Sequence, residues 1–141
     1  MIPLKVHNVV DYLVGVALAL SPFVFGFSDV VAARNVFLVL GIGLVAYSAI
    51  TNYYYSVAKI IPLGAHMVMD ALAGIALILS PALFGYRELI TDGQFAWHFV
   101  MGIGALGLVA LTRTRTEEAK TPTQRAEIRH QRTSHHTPLR R

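Results

Sequence analysis

The 141-residue chain has no cysteine. Disulfides, thiolate catalysis and Cys-based metal sites are excluded, while the redox compartment stays open. Charge is scarce as well, at 14% of residues, where an ordinary soluble domain carries roughly 25%. The scarcity is uneven. Residues 1–112 hold four basic side chains (Lys5, Arg34, Lys59, Arg87) and five acidic ones. Residues 113–141 hold eight basic and three acidic ones. Nine charges cannot cover the surface of a soluble 112-residue globule, but they suffice where lipid is the solvent. The chain also shows no nucleophile–base pair and no cofactor fingerprint, so a non-enzymatic role is the expectation.

The chain does contain a statement made twice. Residues 2–27 read IPLKVHNVVDYLVGVALALSPFVFGF and residues 61–86 read IPLGAHMVMDALAGIALILSPALFGY. The offset is 59 without a gap, and 15 of 26 aligned positions are identical. An internal repeat of this length constrains the architecture before any other argument.

A hydrocarbon core about 30 Å thick needs roughly 20 mostly apolar residues per helix. Four segments qualify, at about 4–26, 32–52, 62–85 and 94–112. The predicted fold is all-α: an integral membrane four-helix bundle built from two transmembrane hairpins, 2–52 and 61–112, related as parallel repeats. The first segment has some features of a signal peptide, but its recurrence mid-chain reads as a retained helix. Lys5, Lys59 and the basic 113–141 tail fall on one side, which predicts cytoplasmic termini. Tyr53, Tyr54 and Tyr55 are expected at the cytoplasmic interface, and Trp97 with its neighbour His98 at the outer one. The tail is too polar to bury a core, so it reads as a disordered segment that can rest on anionic lipid headgroups. Nucleic-acid binding is disfavoured because no aromatic residues interleave its charges.

His7, Asp11, Gly15, Leu18 and Pro22 fall on one helical face, and His66, Asp70, Gly74, Leu77 and Pro81 repeat it. Gly15, Gly74, Gly41, Gly43, Gly102 and Gly104 are expected to let helices approach closely, as small residues do in membranes. Gly107 belongs to the same group. Ser21-Pro22 and Ser80-Pro81 are read as a kink or helix end, where proline frees the carbonyl of Leu18 or Leu77 and each serine can bond locally to the backbone. Gly26 and Gly85 suit the chain reversals that follow.

The SP-aromatic-x-x-GF element resembles the SPW-repeat family of small bacterial membrane proteins. Its elements here are Ser21, Pro22, Gly26 and Phe27, then Ser80, Pro81, Gly85 and Tyr86. Phe23 and Ala82 stand where the family's tryptophan would be. The resemblance covers about residues 1–112 and implies fold and membrane location.

Two His-Asp pairs, His7/Asp11 and His66/Asp70, sit inside these apolar runs. With Lys5 at headgroup level, Asp11 lies roughly 9 Å deeper. Ionisable groups at such depth face a bundle interior and are expensive to keep there. The pairs read first as polar glue between helices 1 and 3, within a structural or accessory membrane protein. The alternative is a shared site for a divalent metal or a proton relay. Haem between His7 and His66 is a further option with no motif behind it. The membrane portion is small for a transporter, so any pathway would call for a homo-oligomer or a membrane protein partner.

Overall fold

The structure, a computed structural model, describes residues 2–112. Among them are four long helices and no sheet: α1 (Leu4–Val24), α2 (Val31–Ile50), α3 (Leu63–Leu83) and α4 (Asp92–Leu111). Each is long and apolar enough to cross a membrane. A 3₁₀ turn, Arg87–Leu89, precedes α4. The 113–141 tail, with its proposed headgroup contacts, lies outside the described residues.

Burial is inverted relative to a soluble protein. Leu13 and Leu20 on α1, Val39 and Ile42 on α2, Leu72 and Leu79 on α3, and Val100 and Ile103 on α4 all point outward. His7, Asn8, Asp11, Ser48, His66, Asp70 and His98 point inward. Such a surface is stable against hydrocarbon, where exposed leucine costs nothing and exposed carboxylate costs much.

The helix ends explain where the observed elements depart from the predicted spans. α1 and α3 stop two residues early because Gly26 and Gly85 adopt positive φ, 70° and 65°. That conformation costs glycine nothing. Phe27 N–H then reaches Pro22 O at 2.9 Å, and Tyr86 N–H reaches Pro81 O at 3.1 Å. Both are the six-to-one bond of a Schellman cap. α4 starts two residues early because Thr91 and Gln94 form a reciprocal capping box. Pro22 and Pro81 lie within the last turn of their helices. Ser80 Oγ donates to the stranded Leu77 carbonyl at 2.9 Å, while Ser21 Oγ donates to Ala17 O at 2.7 Å.

α1 packs mainly on α2, and α3 mainly on α4. Gly15 meets Gly41 across the first pair and Gly74 meets Gly102 across the second. A methyl at Gly41 would sit 2.6 Å from Gly15 O, and one at Gly102 the same distance from Gly74 O. Gly43, Gly104 and Gly107 do not share this role: among the described residues, a methyl on any of them would meet nothing within 4 Å. They face away from the close contacts, so the expectation of tight packing is corrected for them.

The register of the second helices differs from that of the first. α1 maps onto α3 at an offset of 59, but α2 maps onto α4 at 61. The two extra residues fall before α4, where the 3₁₀ turn sits. At this offset Gly41 corresponds to Gly102, Phe37 to His98 and Thr51 to Thr112.

Candidate metal centre

His7 and Asp11 are one turn apart on α1, as are His66 and Asp70 on α3. The fold brings all four together, with one ligating atom from each within 4.8 Å of every other. They are 0%, 2%, 0% and 6% exposed in chain order. His7 Nε2 lies 3.3 Å from Asp11 Oδ1 and 3.2 Å from Asp70 Oδ2. His66 Nε2 lies 3.2 Å from Asp11 Oδ2 and 3.1 Å from Asp70 Oδ2. Neither imidazole prefers one carboxylate.

Two threonines fix which ring nitrogen points inward. Ile2 N–H donates to Leu111 O at 2.7 Å, and Ile61 N–H donates to Ile50 O at 3.0 Å. These short bridges set Thr112 beside His7 and Thr51 beside His66. Thr112 Oγ1 donates its only proton to Leu108 O, and Thr51 Oγ1 donates to Tyr47 O. Each hydroxyl oxygen must then accept from histidine Nδ1–H, at 2.6 Å for His7 and 2.9 Å for His66. In the neutral imidazole this leaves Nε2 a lone pair aimed at the carboxylates.

Tyr47 donates to Asp70 Oδ1 at 2.5 Å, which turns Oδ2 toward the histidines. Asp11 offers one oxygen to each histidine. Tyr53 stacks edge-on against His66, with ring centroids 4.6 Å apart. It was expected at the interface with Tyr54 and Tyr55. Those two are exposed, but Tyr53 is buried and its hydroxyl has no hydrogen-bond partner among the described residues. Burial first, then the charge of Asp11 and Asp70, pushes its phenol well above the ordinary range, so it stays protonated.

The four residues form a group that could hold a small divalent ion. A tetrahedral site with bonds of about 2.0–2.2 Å puts neighbouring ligand atoms roughly 3.3–3.5 Å apart. The four His–Asp separations, 3.1–3.3 Å, are near that, with Asp11 using a different oxygen toward each histidine. Threonine and tyrosine supply the outer bonds that orient such ligands. Haem does not fit, because both Nε2 atoms meet the same two carboxylates in the space a porphyrin plane would need. Sequence reasoning missed Thr51, Thr112, Tyr47 and Tyr53. The threonine signal lies in the sequence as a repeat at offset 61, distinct from the offset of 59 that relates α1 to α3.

The other end of the bundle corrects the expectation for His98. It is fully buried rather than interfacial. His98 Nδ1–H donates to Gln94 O at 2.7 Å, and Nε2 lies 3.1 Å from the Tyr86 hydroxyl. Tyr86 donates to Ser80 Oγ at 2.6 Å. In the first repeat the corresponding residues are Phe27 and Phe37, which pack as a T-shaped pair. Trp97 donates to Ser21 Oγ at 3.0 Å instead.

A family model described as SPW repeat domain matches residues 5–112. The chain belongs to the SPW repeat family. No curated protein and no solved structure matches. Membership of the SPW family and the four apolar helices together point to a membrane protein.

Proposed function

We propose that this SPW repeat protein is a multi-pass protein of a bacterial plasma membrane in which His7, Asp11, His66 and Asp70 hold a divalent transition metal. The ion acts as a clasp between the α1–α2 and α3–α4 pairs in a structural or accessory, non-enzymatic role. The observation that carries this reading is the even spacing of 3.1–3.3 Å between each Nε2 and both carboxylates. A protonated imidazole bound to one carboxylate would draw in to about 2.7–2.9 Å. Two imidazoles and two carboxylates suit zinc or ferrous iron, and two negative charges neutralise the ion. Burial favours holding it over passing it. The termini are assigned to the cytoplasm by Lys5, Lys59 and the basic tail, which rests on anionic headgroups.

A second reading keeps the same atoms without metal. Each carboxylate touches both histidines, so two imidazolium ions would form a neutral four-member ion network that serves as polar glue. Metal analysis of untagged, detergent-purified protein separates the two. Near-stoichiometric zinc or iron, absent from a His7→Ala/His66→Ala variant, supports the metal clasp. Background metal in both, with the variant merely less stable, leaves the ion network and removes the metal.

A further inference from the structure

A cavity of about 430 Å³ runs along the bundle axis from the His-Asp cluster toward mid-membrane. Its walls are apolar, with Val14, Leu18, Leu40, Leu77, Met101 and Leu108 among them. Asp11, Asp70 and Tyr47 supply its polar lining, with Ile2 and Leu111 beyond them. On α1 it extends over the nine residues from Val10 to Leu18, about 12 Å of helix. The α4 wall includes the outward-facing Val100, Gly104 and Leu111, so this side meets the surrounding hydrocarbon. Gly104 and Gly107, where an added methyl would meet no described atom within 4 Å, line the cavity.

We infer that this cavity is a binding site for a single-chain amphiphile with a hydroxyl head, which enters from the bilayer past α4. The volume lies near the low end for small-molecule sites of roughly 300–1,000 Å³, suited to one chain. The tail fills the apolar length. The head reaches Asp11, Asp70 and the Tyr47 oxygen, and Tyr47 has already given its proton to Asp70. That end therefore presents acceptors and calls for a donor. An anionic head is disfavoured: it meets two carboxylates and, even beside a neutralising ion, is buried without a counter-charge. The inference does not depend on the metal.

The test uses full-length protein in lipid nanodiscs with two probes, a long-chain alcohol and a fatty acid of equal length, each with a mid-chain diazirine. After illumination, labelled residues are mapped by mass spectrometry. The alcohol is expected to label Leu18, Leu77 or Met101 and to be displaced by excess unlabelled alcohol. The acid should label these sites at least threefold less. Gly104→Leu should cut alcohol labelling at least fivefold, while Gly43→Leu, equally free of neighbours but outside the cavity, leaves it unchanged. Circular dichroism and thermal melting check that both variants fold. Labelling that resists competition, or that survives Gly104→Leu in a folded protein, overturns the site. Equal labelling by acid and alcohol overturns the assignment of the head.

Discussion

At the scale of single residues, the centre depends on two threonine hydroxyls that never touch its interior. Thr51 and Thr112 each receive an Nδ1–H from the histidine of the opposite repeat. Without that acceptor the imidazole can rotate or change tautomer, and its inward lone pair is lost. Outer partners of this kind typically govern 10–100-fold in metal affinity. Thr51→Val/Thr112→Val should therefore weaken zinc binding by about 10–100-fold while keeping all four ligands, measured by competition with a chelator in detergent. Thr51→Ser/Thr112→Ser keeps both hydroxyls and should restore most of the affinity. A valine variant with wild-type affinity would mean that the carboxylates alone orient the rings. The ligands themselves were legible in the sequence because repetition marked them. The threonines were not, because a Thr at a helix end has many ordinary uses and only the bridges at Ile2 and Ile61 give these two a common role.

At the scale of helices, glycines of identical appearance divide into two kinds. Gly41 and Gly43, like Gly102 and Gly104, are two residues apart, so they face different sides of their helix. A side chain at Gly41 would strike the Gly15 carbonyl and the Ala19 nitrogen, both backbone atoms that cannot rotate away. Overpacking of this sort costs about 1–3 kcal/mol. Gly41→Ala and Gly102→Ala should each destabilise by about that amount in reversible unfolding in bicelles. Gly43→Ala should fall within about 0.5 kcal/mol of wild type, as surface changes usually do. Equal losses at both positions would show that the α1–α2 and α3–α4 contacts are not as close as the structure has them. The number and position of the helices could be read from run length alone, since lipid demands it. The sorting of the glycines needed the two-residue shift before α4. The inward turn of His98 goes with Tyr86, which takes the place of Phe27 and sets its hydroxyl 3.1 Å from the buried imidazole.

At the scale of the whole molecule, the bonds at the centre cross between repeats. His7 reaches Asp70 and Thr112, and His66 reaches Asp11 and Thr51. α1 leans mainly on α2 and α3 mainly on α4, and the pairs otherwise meet where α2 packs on α3 and at the far end, where Trp97 bonds Ser21 and Phe37 meets His98. Metal loss should therefore loosen one pair against the other and leave each pair intact. An ion held a thousandfold above its dissociation constant stabilises by about 4 kcal/mol. Chelation should remove a stabilisation of that order from wild type and almost none from His7→Ala/His66→Ala. The motion itself can be followed because the chain has no cysteine of its own. Leu20 and Leu79 are equivalent outward-facing positions on α1 and α3. Spin labels on Leu20→Cys/Leu79→Cys should give a narrow distance distribution in metal-loaded protein and a broad one after chelation. Labels on α1 and α2, at Leu20→Cys and Val39→Cys, should not respond. A distribution between α1 and α3 that stays narrow through complete metal removal would show that the carboxylate–imidazole contacts close the bundle unaided, and the ion would lose its part as a clasp.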